Sequence, residues 1–350
     1  MQLSRRLATV RPQLENWWDH GSQEKPLVMV SHLAPEATLP QTDDLVRHWT
    51  DVEFVVRRAI ARIDATRYHG VALPYHTATL GASSMLLALG AQAEFIDTAT
   101  VWAHPQLTRI EETLEVSLHP ANELYRSMLD ITRTSAERAA DHHFVAPFAL
   151  SGVMDNLAGL YGNDRLLVDL IERADEVERA MEHQKRLWIE AFGEVHAIIA
   201  GAGNEGTLGW AGIWAPGTTF PIQEDISYMI SPEMFDRFSL PHIRDIVDAM
   251  EYPFYHLDGM GAIAHLDSLL GIERLKAIQW QPGAGHERLA DWYELLERVL
   301  DGGKSLQVYA TADEIEPLHR AIGGTGVLAI VTGAGEEDVR MLARQGYLDG

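Results

Sequence analysis

Eight short apolar runs, rich in β-branched and aromatic residues and mostly separated by longer helical patterns, recur along this chain. They are Pro26–His32, Val71–His76, His143–Leu150, Thr207–Ala215, Pro253–Asp258, Ala277–Pro282, Ser305–Thr311 and Val327–Thr332. Several are continuous apolar stretches, as strands covered on both faces should be. Between them, apolar residues return at helical spacing, as Val55, Val56, Ile60 and Ile63 do. Ser231-Pro232-Glu233-Met234 supplies a cap and then proline at the first helical position. Strand–helix alternation of this kind builds a parallel sheet. Eight such units predict an α/β fold, a (β/α)8 TIM barrel with an N-terminal helical extension. The reading is one domain over 1–350, with the extension in 1–24 and the barrel over about 25–345. The rival is an open, doubly wound sheet.

Composition narrows the function. The chain carries 28 Lys+Arg against 51 Asp+Glu, a net charge of −23. That balance offers no basic face, so no nucleic-acid partner is expected. There is no cysteine, which excludes disulfides, thiol nucleophiles and thiolate metal sites. No stretch of about 18 apolar residues occurs, so no membrane span is expected, and nothing near Met1 reads as a signal peptide. The expected location is cytoplasmic.

In a barrel of parallel strands, chemistry sits at the C-terminal strand ends. The polar side chains there include His32, His76, Trp214, His256, Asp258, Gln279, Gln281 and Tyr309. Tyr255-His256-Leu257-Asp258-Gly259 is the strongest local feature. Residues two apart on a strand share a face, so His256 and Asp258 point the same way. Such a pair either binds a divalent metal or forms a base with an orienting carboxylate. Asp225, in Gln223-Glu224-Asp225, is a candidate acid/base or metal ligand, or else organises a turn. Gln279 and Gln281 share a face suited to hydrogen-bonding a polar substrate. Asp141-His142-His143 hints weakly at metal, because adjacent strand histidines point to opposite faces. Gly201-Ala202-Gly203-Asn204-Glu205-Gly206 matches a dinucleotide fingerprint in letters, but no helix pattern follows it, so no nicotinamide is expected.

Ser231–Phe235, Pro241, Tyr255–Gly259, Ala262–Asp267, Ala277–Trp280 and Val145–Phe148 together resemble the uroporphyrinogen decarboxylase superfamily. The resemblance implies a (β/α)8 barrel and either methyl transfer or decarboxylation. The decarboxylases' Arg-Gln-Ala-Gly-Arg signature is absent, since Val30-Ser31-His32-Leu33-Ala34-Pro35 stands in its place. The methyltransferases' His-x-Cys zinc motif becomes His256-Leu257-Asp258. The expectation is a one-carbon transferase for a small polar substrate, with His256, Asp258 and Asp225 catalytic. A zinc or manganese ion would be held by His256, Asp258 and Glu224, a nitrogen/oxygen site. His32, His76, Trp214, Gln223, Gln279, Gln281 and Tyr309 would position substrate. A corrinoid protein is the methyl-donating partner the resemblance suggests, and a homodimer its assembly. The alternatives are a decarboxylase and a non-catalytic ligand-binding barrel.

Overall fold

The computed structural model of the protein describes residues 2–348. It is a mixed α/β fold around a seven-stranded sheet. The principal strands are β1 (Leu27–Leu33), β2 (Thr66–Gly70), β3 (Tyr75–Thr77), β4 (Phe144–Ala146), β5 (Pro221–Gln223), β6 (Phe254–Asp258), β7 (Ala277–Gln281), β8 (Ser305–Ala310) and β9 (Val327–Val331). The sheet runs β2-β1-β9-β8-β7-β6-β5, with every pairing parallel except β1 with β2. β3 and β4 form a separate parallel pair. First and last strands meet, since β1 pairs with β9, which gives a barrel-like arrangement. Among the described residues no ladder joins β1 to β3 or β4 to β5, so the hydrogen-bonded ring is interrupted twice.

Two interruptions correct the strand reading. Thr207–Ala215 is a tight antiparallel hairpin, Thr207–Leu208 against Trp214–Ala215, because Gly206 and Gly212 take φ of +78° and +72° and fold the run back on itself. Its place beside β6 is taken by the three-residue β5. The antiparallel β2, unanticipated, covers the free edge of β1.

Alternation along the strands sorts the two sheet faces. Val28, Val30, Tyr255, Leu257, Ile278, Trp280, Leu306 and Val308 pack into the larger core, with the helices. Met29, Phe254, Ala277 and Leu328 face the other way and meet the N-terminal helix α1 (Leu3–Trp18). α1 buries Leu3, Leu7, Val10, Leu14, Trp17 and Trp18, a stripe at helical spacing. Trp18 Nε1 donates to the Trp214 carbonyl at 2.8 Å, and its ring meets Tyr252 and Phe254 edge-on. Ser305 Oγ donates to the Trp17 carbonyl. α1 therefore floors the N-terminal ends of the strands. Trp18→Ala is expected to cost about 3–5 kcal/mol, the range for emptying a buried aromatic site. Urea denaturation checks this, and a loss below about 1 kcal/mol would contradict the floor.

No helix among the described residues is long and apolar enough to cross a membrane.

Candidate active site

Register places polar side chains in steps up one face of the sheet. Phe254 pairs with Ala277, and Ala277 with Ser305, near the floor. Two residues further on, Gln223, His256, Gln279 and Gln307 are direct neighbours across β5, β6, β7 and β8. Above them stand Asp258 and Gln281, paired in register, with Tyr309 on β8.

Gln279 and Gln307 are fully buried, so their amides must find partners inside the protein. Gln279 Nε2 donates to Gln307 Oε1 and, at 3.4 Å, to the Tyr309 hydroxyl. That leaves Gln279 Oε1 to accept from His256 Nδ1, which it does. The proton of His256 is thereby fixed on Nδ1, and its lone pair is on Nε2. Nε2 faces Asp258 Oδ2 at 3.9 Å. The Trp210 ring, carried in by the 207–215 hairpin, stands edge-on to His256 at 5.3 Å. Tyr75 from β3 donates to the Trp210 carbonyl at 2.9 Å and holds that tip in place.

Past the end of β5, alternation separates the acids. Asp225 keeps the side of Gln223, and its carboxylate accepts from Gln223 Nε2 at 2.8 Å. One donor atom each from Asp225, His256 and Asp258 lies within 4.8 Å of the others. Glu224 points the opposite way, toward helix α2 (Val153–Tyr161). Its two oxygens accept from the Val153 and Met154 amides at 3.0 and 2.9 Å, the free N–H groups of the helix's first turn. Glu224 is thus an anchor between β5 and α2, and Asp225 is the acid beside His256 and Asp258.

Asp155, on the first turn of α2, carries no sequence signal beyond its place three residues after Gly152. It accepts from the amides of Gly152, Asp225 and Ile226 at 3.1, 2.9 and 2.8 Å. Burial drives the Asp155 carboxyl up, against the pull of those three N–H groups. Burial, reinforced by Asp155, also raises Glu224 well above the usual carboxylate range. Asp225 is pushed up to about 8 by crowding protein, then by Asp155 and Asp258, although solvent still reaches it from one side. Among the described residues no lysine or arginine pairs with Asp155, Glu224, Asp225 or Asp258. Burial also lowers His256, which keeps its imidazole neutral.

No family model and no curated protein matches the chain. A solved structure does. The chain is similar in fold to a methyltransferase from Methanosarcina mazei. The superposition has a TM-score of 0.60 at 15% identity and covers 98% of each chain.

The remaining sequence candidates divide. Gln223, Gln279, Gln281 and Tyr309 surround the three donors or adjoin them in register. Trp214 does not. It is fully buried in the floor, donates from Nε1 to the Glu205 carbonyl at 2.8 Å and supports Trp18. Its strand assignment failed with the hairpin. His32 stacks on His69 of β2 at 5.6 Å and lines a separate cavity of about 650 Å³. His76 lines the same cavity, with its Nδ1 bonded to Ser135 Oγ at 2.8 Å. His142 and His143 precede β4 in a turn, so strand alternation does not part them. Their Nδ1 atoms meet at 2.9 Å.

Burial lowers His76 to about 3 and His143 to about 4, with a neighbouring imidazole adding to each effect. A histidine held neutral in the fold takes up no proton as pH falls below 6.5, whereas the unfolded chain does. Stability from such a group is therefore complete above pH 6.5 and drains away toward pH 4 or 3. At pH 5 the loss is about 2 kcal/mol per group. The raised carboxyls work in the reverse direction, so the effect is read as a difference between variants. His143→Gln is expected to flatten the stability profile between pH 7 and 5 by about 2 kcal/mol relative to wild type. Parallel denaturation profiles would contradict it.

Proposed function

We propose that the chain is a methyltransferase on a (β/α)8 barrel, binding a divalent cation through His256 Nε2, Asp258 and Asp225. The observation that carries this reading is the convergence of three donors in a carboxylate-rich mouth that no lysine or arginine among the described residues neutralises. Four acids in partly desolvated surroundings repel one another, and a divalent ion relieves that repulsion. The donor set is one imidazole nitrogen and two carboxylates, which suits zinc or manganese and an oxygen- or nitrogen-bearing substrate. Bound there, the ion would act as a Lewis acid on a substrate heteroatom. Gln279 holds the imidazole in the tautomer a metal needs, and Gln307 holds Gln279. Gln223 orients Asp225, and Trp210 walls one side of the imidazole. The fold shared with a methyltransferase supports methyl transfer as the reaction class, and a corrinoid is the methyl donor that the resemblance in sequence suggests.

Metal analysis of untagged protein tests the reading. About one zinc or manganese ion per chain is expected. Less than roughly one-fifth of an ion, with none taken up on addition, would overturn it, because vacant site and vacant hypothesis then coincide. Methylcobalamin incubated with the metal-loaded protein and a panel of small alcohols, amines and carboxylates reads the transfer by loss of the methyl–cobalt absorbance. A second reading, metal-free decarboxylation, rests on Asp225, which near pH 8 and below holds a proton it could deliver. Activity that survives complete chelation would favour that lyase.

A further inference from the structure

A second chain of polar groups, away from the three donors, runs through the protein between its surface and the cavity beside β1 and β3. Asp64 ends the helix before β2 and is exposed. Its Oδ1 lies 2.9 Å from His142 Nε2. His142 Nδ1 is 2.9 Å from His143 Nδ1, His143 Nε2 is 3.0 Å from Ser135 Oγ, and Ser135 Oγ is 2.8 Å from His76 Nδ1. Ser135 and His143 are fully buried. His76 is nearly so, and it lines the 650 Å³ cavity together with Ser31, His32, Tyr75 and Thr77.

Elementary donor–acceptor accounting orients the chain when all three imidazoles are neutral. An ionised Asp64 can only accept, so His142 carries its proton on Nε2 and accepts on Nδ1. His143 must then donate from Nδ1 and accept on Nε2. Ser135 donates to it, and accepts from His76 Nδ1. His76 is left with a lone pair on Nε2, for which none of the described residues supplies a hydrogen-bond donor.

We infer that His76 is a general base facing the cavity, and that Ser135, His143 and His142 carry its proton to the surface at Asp64. The transfer balances without any further reactant. The X–H bond of an acidic ligand breaks as an N–H bond forms at His76 Nε2. The Nδ1 proton of His76 passes to Ser135 Oγ, and the Ser135 proton to His143 Nε2. The His143 Nδ1 proton passes to His142 Nδ1. The charge comes to rest as a His142 imidazolium against the Asp64 carboxylate, 2.9 Å away and open to water. The buried imidazoles of His76 and His143 never hold a net charge, which suits surroundings that resist one. The ligand class is a small molecule with an ionisable O–H, N–H or S–H. A methyl acceptor is one such molecule, since it sheds a proton when alkylated. The geometry of the base stands apart from the metal reading.

Diethyl pyrocarbonate, which acylates an unprotonated imidazole nitrogen and needs no metal, is the probe. Native, chelator-treated protein is reacted at pH 7, and His76 is followed by peptide mapping. Wild-type His76 is expected to react, and at least about five times faster than in Ser135→Ala or Asp64→Asn, where the proton has no onward path. Ser135→Ala removes one buried oxygen and Asp64→Asn alters an exposed side chain. Circular dichroism checks that both variants fold. An unreactive His76 in the native wild type, or equal rates in all three proteins, overturns the inference. Because no metal is present, the result is independent of whether His256 binds one.

Discussion

His256→Ala is expected to drop bound metal from about one ion per chain to less than one-fifth, and methyl transfer on the order of a thousandfold, the several kcal/mol a Lewis acid contributes. The imidazole is the sole nitrogen among the three donors. Without it two carboxylates remain, one of them raised to about 8 and so largely protonated at neutral pH in the absence of an ion. Gln279→Leu separates orientation from ligation. It removes the acceptor that fixes the proton on His256 Nδ1, leaves the three donors in place, and is expected to weaken metal binding about 10–100-fold. Titration with a competing chelator measures both. If His256→Ala kept full metal content, the ion would be bound elsewhere and the proposed site would be wrong.

Asp155→Ala is the second large effect. Three backbone N–H groups, two of them on the segment that carries Asp225, lose a charged acceptor. Each part-buried donor left without an acceptor costs about 1–3 kcal/mol, and the exposed Asp225 amide less. Relief of repulsion with Glu224 and Asp225 returns part of this, so a net loss of about 3 kcal/mol is expected, together with weaker metal binding as Asp225 drifts. Asp155→Asn keeps one acceptor oxygen and should retain more than half of the stability lost in the alanine variant. Urea midpoints for the two variants decide it. Equal losses would mean that the carboxylate's hydrogen bonds do not hold the segment.

The spacing of His256 and Asp258 was readable because a strand has period two, and the structure places both on one face. The choice between Glu224 and Asp225 needed the same parity, but β5 is only three residues long and begins with proline, so it offered no pattern to count from. The more β-like 207–215 run drew the assignment instead, and Trp214 went with it. Its glycines were the signal for a hairpin. Gln307 was discoverable: an amide in the middle of Ser305–Ala310 is costly unless paired, and Gln279 lies directly across from it. Asp155 and Trp210 were not, because each reaches the mouth through a tertiary contact that no local pattern encodes. The Asp64–His76 chain joins residues from a helix end, a turn, a second helix and a strand, and only the fold aligns them.

The two tryptophans that close α1 stop the bottom of the sheet, so on the proposed reading molecules reach and leave the polar mouth from the opposite side. On that reading traffic through the mouth would be sequential. A spent molecule has to back out before a fresh one can take its seat, and a bulky donor docked across the entrance would hold both waiting. Turnover would then respond to how quickly the doorway clears, as much as to anything that happens at its far end.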